Sequence, residues 1–115
     1  MIYVTYPKWT SCRKAKAWLD ENNKAYTQKD VKTENPTYEE LKNWHKLSGL
    51  PLINFFNRNG TLYREMDLKE KLPQMTEDEQ LKLLASDGML VKRPIIIDGN
   101  TVLLGFKEAE WDKMK

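Results

Sequence analysis

The run from Pro94 to Leu104 constrains this chain more than any other part of its sequence. Pro94-Ile95-Ile96-Ile97 and Thr101-Val102-Leu103-Leu104 flank the tight-turn residues Asp98-Gly99-Asn100, the signature of an antiparallel hairpin. The N-terminus supplies matching material. Ile2 to Thr5 reads as a short buried strand that Tyr6-Pro7 ends, and Ala25 to Val31 as a second strand. Between them Ala15, Trp18 and Leu19 recur at helical spacing. Thr10 or Ser11 serves as the expected N-cap, and Asn22-Asn23 as the stop. Two parallel strands joined by a helix form a βαβ unit, whose crossover is right-handed almost without exception.

The middle is helical. Asn35-Pro36 supplies a cap and an N1 proline before Tyr38, Leu41, Trp44 and Leu47, and Gly49 closes that helix. Leu50 to Phe56 reads as a shorter helix or turn, Asn59-Gly60 as a turn, and Met66 to Leu72 as another short helix. Thr76-Glu77-Asp78-Glu79 is a capping box before Leu81, Leu83 and Leu84, with Gly88 expected at C′. Glu108 to Met114 reads as a closing helix. The order is β-α-β, several helices, then β-β-α, without repeats or linkers, so residues 1–115 are read as one domain.

Charge and cysteine usage narrow the function classes. A net charge of +2 is too small to point to nucleic acid, and 40% apolar with 31% charged residues is an ordinary globular balance. The single cysteine, Cys12, rules out an intramolecular disulfide and fits a reducing compartment. No signal-peptide pattern or membrane-length apolar run is present, which makes the cytoplasm the expected location.

Cys12 sits in Trp9-Thr10-Ser11-Cys12-Arg13-Lys14-Ala15, at a strand-to-helix turn where a Cys-x-x-Cys pair would lie in a redox βαβ unit. The spacing is kept, but tryptophan holds the first position. A helix N-terminus and the neighbouring Arg13 both favour a thiolate. Against this, Cys12, Ala15 and Leu19 share one helix face, so the thiol equally reads as a small buried hydrophobe. Arg13, Lys14 and Lys16 form either a solvated basic face or an attraction for an acidic partner. Arg93-Pro94 opens the triple-isoleucine strand, where proline's missing donor does no harm. On the residues alone this is a strand-opening proline, since cis forms are a small minority, while the arginine offers bidentate oxyanion binding. His45 has no companion ligand and is not read as a metal site. Asn57-Arg58-Asn59-Gly60 reads either as an anion cradle or as an ordinary turn. Trp9, just before the helix, is expected near the surface beside Cys12.

These residues together resemble the ArsC/Spx-like family. The likeness runs through Ser11-Cys12-Arg13-Lys14-Ala15, Tyr63-Arg64-Glu65-Met66-Asp67-Leu68-Lys69, Leu90-Val91-Lys92-Arg93-Pro94-Ile95-Ile96-Ile97-Asp98 and Leu104-Gly105-Phe106. It implies an α/β thioredoxin-like (glutaredoxin-like) fold: a four-stranded mixed sheet with a helical insertion between the βαβ and ββα halves. It also implies a cis Arg93–Pro94 peptide facing the cysteine. The family's arsenate reductases use a cysteine at the first loop position, which is Trp9 here, and oxyanion-binding arginines. Only Arg93 matches those clearly; the others fall near Asn57, with Arg58 adjacent, and near Phe106. The Spx-type regulators bind the C-terminal domain of the RNA polymerase α subunit, and Gly49 and Arg93 match positions linked to that contact.

Three readings result. The first is an ArsC-family thiol oxidoreductase homologue with a monothiol mechanism. In it Cys12 is the nucleophile, Arg13 activates it, Arg93, Pro94 and Arg58 hold the substrate or anion, and glutathione or a protein thiol or disulfide is the partner. No metal or resident cofactor is expected. The second is a Spx-like regulator without an internal disulfide switch, in which Gly49 and Arg93 meet the polymerase subunit. The third is a scaffold with an inert, buried thiol.

Overall fold

The apolar runs at the two ends of the chain meet in one sheet. The protein is described by a computed structural model covering residues 1–114. Strand β1 (Ile2–Thr5) pairs in parallel with β2 (Thr27–Asp30) and antiparallel with β3 (Ile95–Asp98). Strand β4 (Thr101–Leu104) completes a mixed sheet of order β2-β1-β3-β4. The architecture is the expected thioredoxin-like one, with its helical insertion between β2 and β3.

Alternation along the strands assigns each side chain to a layer. Tyr3 opposes Ile96, and both face a core made by α1 (Thr10–Glu21) and α6 (Glu108–Trp111), with Ala15, Trp18, Leu19 and Trp111. Val4 opposes Ile95, and these face the larger core on the other side. Helices α2 (Tyr38–Ser48), α3 (Thr61–Glu65), α4 (Leu68–Lys71) and α5 (Glu77–Ser86) cover that side through residues such as Leu41, Trp44, Tyr63, Leu68 and Leu84. Each fully buried aliphatic or aromatic side chain contributes about 1.5–3 kcal/mol by leaving water.

Several local expectations are corrected. Helix α1 begins at Thr10, so its cap position is Trp9, which makes no side-chain cap bond, rather than Thr10 or Ser11. Thr37, not Asn35, caps α2: its hydroxyl accepts from the Glu40 amide, and the Glu40 carboxylate accepts from the Thr37 amide. Asn35 instead donates to the Ala85 carbonyl at 2.7 Å, tying the loop after β2 to α5. The helix expected over Met66–Leu72 is shorter: Met66 is the C-cap of α3, Asp67 at φ +53° precedes α4, and a 3-10 turn over Leu72–Gln74 follows it. The closing helix is a single α-turn, Glu108–Trp111, continued by a 3-10 turn over Asp112–Met114. Gly88 is not a left-handed cap. It starts a 3-10 turn, and a Cβ there would stand 1.6 Å from the Val31 carbonyl oxygen. Gly49 does close α2 in the left-handed region, at φ +67°, and the Thr76 capping box on α5 is formed as read.

Candidate functional site

The site forms where β1 runs into α1 and where the chain turns into β3. The Val4–Ile95 register, carried past both strand ends, brings Tyr6 beside Arg93. The Arg93–Pro94 peptide is cis, as the family resemblance implies and against the reading of the residues alone. Arg93 is only 5% exposed. Its Nη1 donates to the Met89 and Val91 carbonyls at 3.3 and 3.4 Å, while its buried Nε has no partner among the described residues. The guanidinium carbon lies 4.7 Å from the Trp9 ring centroid and 5.1 Å from that of Tyr6. Two aromatic faces thus compensate a desolvated cation. Burial pushes the Arg93 guanidinium below its ordinary value, and the Cys12 and Tyr6 side chains act in the opposite direction.

Cys12 lies beneath this assembly, 1% exposed. Its Sγ accepts from the Tyr6 amide at 3.4 Å, and its carbonyl accepts from the Tyr3 hydroxyl at 2.5 Å. These bonds fasten the first turn of α1 to β1. The structure therefore brings Trp9, Cys12, Arg93 and Pro94 together. Arg13 is not part of the group: it is exposed, and its Nε donates to the Pro7 carbonyl at 3.3 Å.

A groove of about 590 Å³ opens beside Trp9 and Arg93. Arg58, Lys92 and Lys107 give it a basic wall, with Glu110 as its acidic member. The segment Phe55–Asn57 supports this wall by pairing with Leu90–Lys92: Asn57 N donates to Leu90 O at 2.8 Å, and Lys92 N to Phe55 O at 2.7 Å. Ser48 and Leu50 reach the same groove, so exposed Gly49 lies on its rim. Asn57 and Phe106, at the positions where the resemblance places the other oxyanion-binding arginines, carry no charge. Phe106 packs edge-on to Trp111 at 4.9 Å.

His45 is used structurally: its Nδ1 lies 3.3 Å from a Glu77 oxygen, and its ring meets Phe55 edge-on. Among the described residues no cluster of three or more His, Cys, Asp or Glu could hold a metal ion, and no helix is long and apolar enough to cross a membrane. Reading the sequence missed Tyr6, Lys92 and Lys107. Tyr6 gives a signal only as a strand terminator beside Pro7, and the two lysines lie next to Arg93 and Phe106 without a motif of their own.

A thioredoxin-like sheet with a cis-proline turn over a thiol in the first turn of α1 defines the class. A model of the ArsC family matches residues 4–114, and the chain belongs to that family. It is 50% identical to YusI of Bacillus subtilis (strain 168), over 98% of this chain and 96% of that protein. It is 29% identical to the regulatory protein MgsR of the same organism, over 99% and 89%. Among solved structures, an ArsC family related protein from Bacteroides fragilis superposes with a TM-score of 0.96 at 52% identity, covering 99% of this chain and 96% of that one. A possible arsenate reductase from Streptococcus mutans UA159 superposes at 0.91 and 41% identity, covering 99% and 97%. The chain is 27% identical to the global transcriptional regulator Spx 2 of Bacillus anthracis, over 96% of this chain and 82% of that protein, and is thus a homologue both of arsenate reductase-like proteins and of regulators.

Proposed function

We propose that this protein is a partner-binding, Spx-like regulator of the cytoplasm in which the reductase site has become a recognition surface. The observation that carries this reading is the filled thiol site. Trp9 occupies the position of the expected nucleophile and lies over Arg93, and the remaining thiol is withdrawn from solvent. In this conformation the buried sulfur is out of reach of a substrate disulfide, whereas the groove, its basic wall and the rim at Gly49 are open. The proposed partner is the C-terminal domain of the RNA polymerase α subunit. Calorimetric titration with that isolated domain tests it. Binding at about micromolar affinity is expected, unchanged by Cys12→Ser and weakened about tenfold or more, some 1.4 kcal/mol, by Gly49→Arg. Gly49→Asn, which tolerates the left-handed backbone, should retain affinity. Absence of heat and of any shift at high partner concentration would reject the partner.

A second reading rests on the sulfur's surroundings: an amide donor, the first turn of a helix and a neighbouring guanidinium. If Trp9 swings out, Cys12 can attack a disulfide as a monothiol. Glutathione or a protein thiol would then resolve the mixed disulfide, with Arg93 and Pro94 positioning the substrate and Arg58 attracting an anionic one. Loss of turnover in Cys12→Ser, in a glutathione-coupled disulfide assay, is the expected result. Equal turnover by the serine variant would eliminate this chemistry.

A further inference from the structure

The basic wall of the groove holds an amine to which the reading above gives no chemistry of its own. Lys92 is half-buried, and its aliphatic stem lies across Gly105, whose φ is +74°. A Cβ at Gly105 would stand 3.2 Å from Lys92 Cε and 3.8 Å from Nζ, so the glycine provides the channel in which the side chain rests. Nζ has no hydrogen-bond or ion-pair partner among the described residues. The charged groups sharing the groove are Arg58, Arg93, Lys107 and Glu110. Three of these four are cations, and Glu110 is not within ion-pair distance of any of them or of Lys92. Burial, followed by the positive charges of Arg58 and Lys107, lowers the Lys92 pKa from its ordinary value. Each of these causes favours the neutral, nucleophilic amine. The same cations favour any small anion entering the groove.

We propose that Lys92 is an acyl-acceptor site that takes its acyl group from a small anionic donor of the acyl phosphate class. The Nζ lone pair attacks the carbonyl carbon and forms the amide C–N bond. The carbonyl carbon–oxygen bond to phosphate breaks, and inorganic phosphate leaves with the electron pair. The proton released from nitrogen passes to water. Arg58 and Lys107 hold the donor's phosphate and stabilise the charge it retains on departure. The product removes one positive charge from the crowded wall. This chemistry stands whether or not the polymerase subunit binds the groove.

Incubating the full chain with acetyl phosphate, and following acetylation of each lysine by peptide mass spectrometry across a pH series, tests the proposal. Lys92 should acetylate severalfold faster than exposed Lys14 and Lys69 at neutral pH, with its rate rising at lower pH than theirs. Added salt should reduce its advantage by screening the anionic donor. In an Arg58→Gln/Lys107→Gln variant the Lys92 rate should fall more with acetyl phosphate than with uncharged acetic anhydride. A Lys92 rate no greater than that of Lys69 would overturn the acceptor site. Equal losses with the two donors would overturn the role given to the anionic group.

Discussion

At Trp9 an indole stands where the first cysteine of a Cys-x-x-Cys pair would lie. The indole stacks on the Arg93 guanidinium, while Cys12, three residues on, faces the interior with its sulfur on the Tyr6 amide. Arg13 N donates to Trp9 O at 3.1 Å, so positions 9 and 12 are joined by one helical turn. Their Cα atoms are then separated by about 5–6 Å, within the span of a disulfide. Trp9→Cys is therefore expected to form a reversible disulfide with Cys12 under mild oxidant, read as the loss of both titratable thiols and their return on reduction. Two thiols that stay free would show that the loop geometry is not that of a Cys-x-x-Cys pair. Tyr3 gives a second prediction at this scale. Burial pushes its pKa up to about 12, while the Thr5 side chain acts in the lowering direction. A phenol is neutral when protonated, and an unfolded chain releases that proton near pH 10. The raised folded value thus contributes stability that is complete below about pH 10 and is lost as pH rises towards 12, roughly 2–3 kcal/mol in all. Denaturant unfolding of the wild type and of Tyr3→Phe should show their difference shifting by this amount against the wild type over that window. A constant difference would refute the burial argument.

Helix starts show how much of the fold the sequence carried and where it could not. The hairpin of β3 and β4, the βαβ unit and the Thr76 capping box were all legible, because each depends on residues adjacent in the chain. Hidden were features set by distant neighbours. Asn35 offers a good cap by composition, yet its side chain is taken by Ala85 of α5, and Thr37 caps α2 instead. Gly88 has the chemistry of a C′ residue, but the Val31 carbonyl is what forbids a side chain there. For the candidate site, the thiol and the Arg-Pro turn were legible, whereas the stacking of Trp9 and Tyr6 on Arg93 depends on the pairing of two chain ends. Two consequences follow at the level of elements. Thr37→Ala and Thr76→Ala should each cost about 1 kcal/mol, since each removes a capping bond made at the surface. Gly88→Ala should cost about 3 kcal/mol or more, because its new methyl meets backbone that cannot step aside. Equilibrium denaturation separates these cases, and a Gly88→Ala variant as mild as the cap variants would contradict the close approach.

Among the described residues the buried apolar side chains form two clusters, one on each face of the sheet. On one side Trp111, with 0% exposure, takes Trp18 and Phe106 edge-on at 5.5 and 4.9 Å, and its indole nitrogen donates to the Gly105 carbonyl at 3.2 Å. Trp18 in turn donates to Asp112 at 3.0 Å, which fastens α1 to the end of the chain. On the other side Trp44 belongs to the separate cluster formed with α2 to α5. The groove lies at the end of the β3–β4 hairpin, where Gly105, held by Trp111 and by its amide's bond to the Pro94 carbonyl, meets Lys92 and Arg93. Asn57 and Arg58 of the insertion share its lining with Ser11 of α1 and Glu110 of α6. Trp111→Ala should cost about 3–5 kcal/mol through cavity formation and a lost hydrogen bond. Trp18 and Trp111 share one contact surface, so Trp18→Ala combined with Trp111→Ala should deviate from the sum of the single effects by about 0.5–3 kcal/mol. Trp44→Ala and Trp111→Ala, on opposite sides, should add to within about 0.5 kcal/mol. A double-mutant cycle in urea measures both couplings. Equal coupling in the two pairs would mean that the sheet transmits packing changes between the layers. In that event the groove's two walls, one from each layer, would respond to partner binding as a single unit.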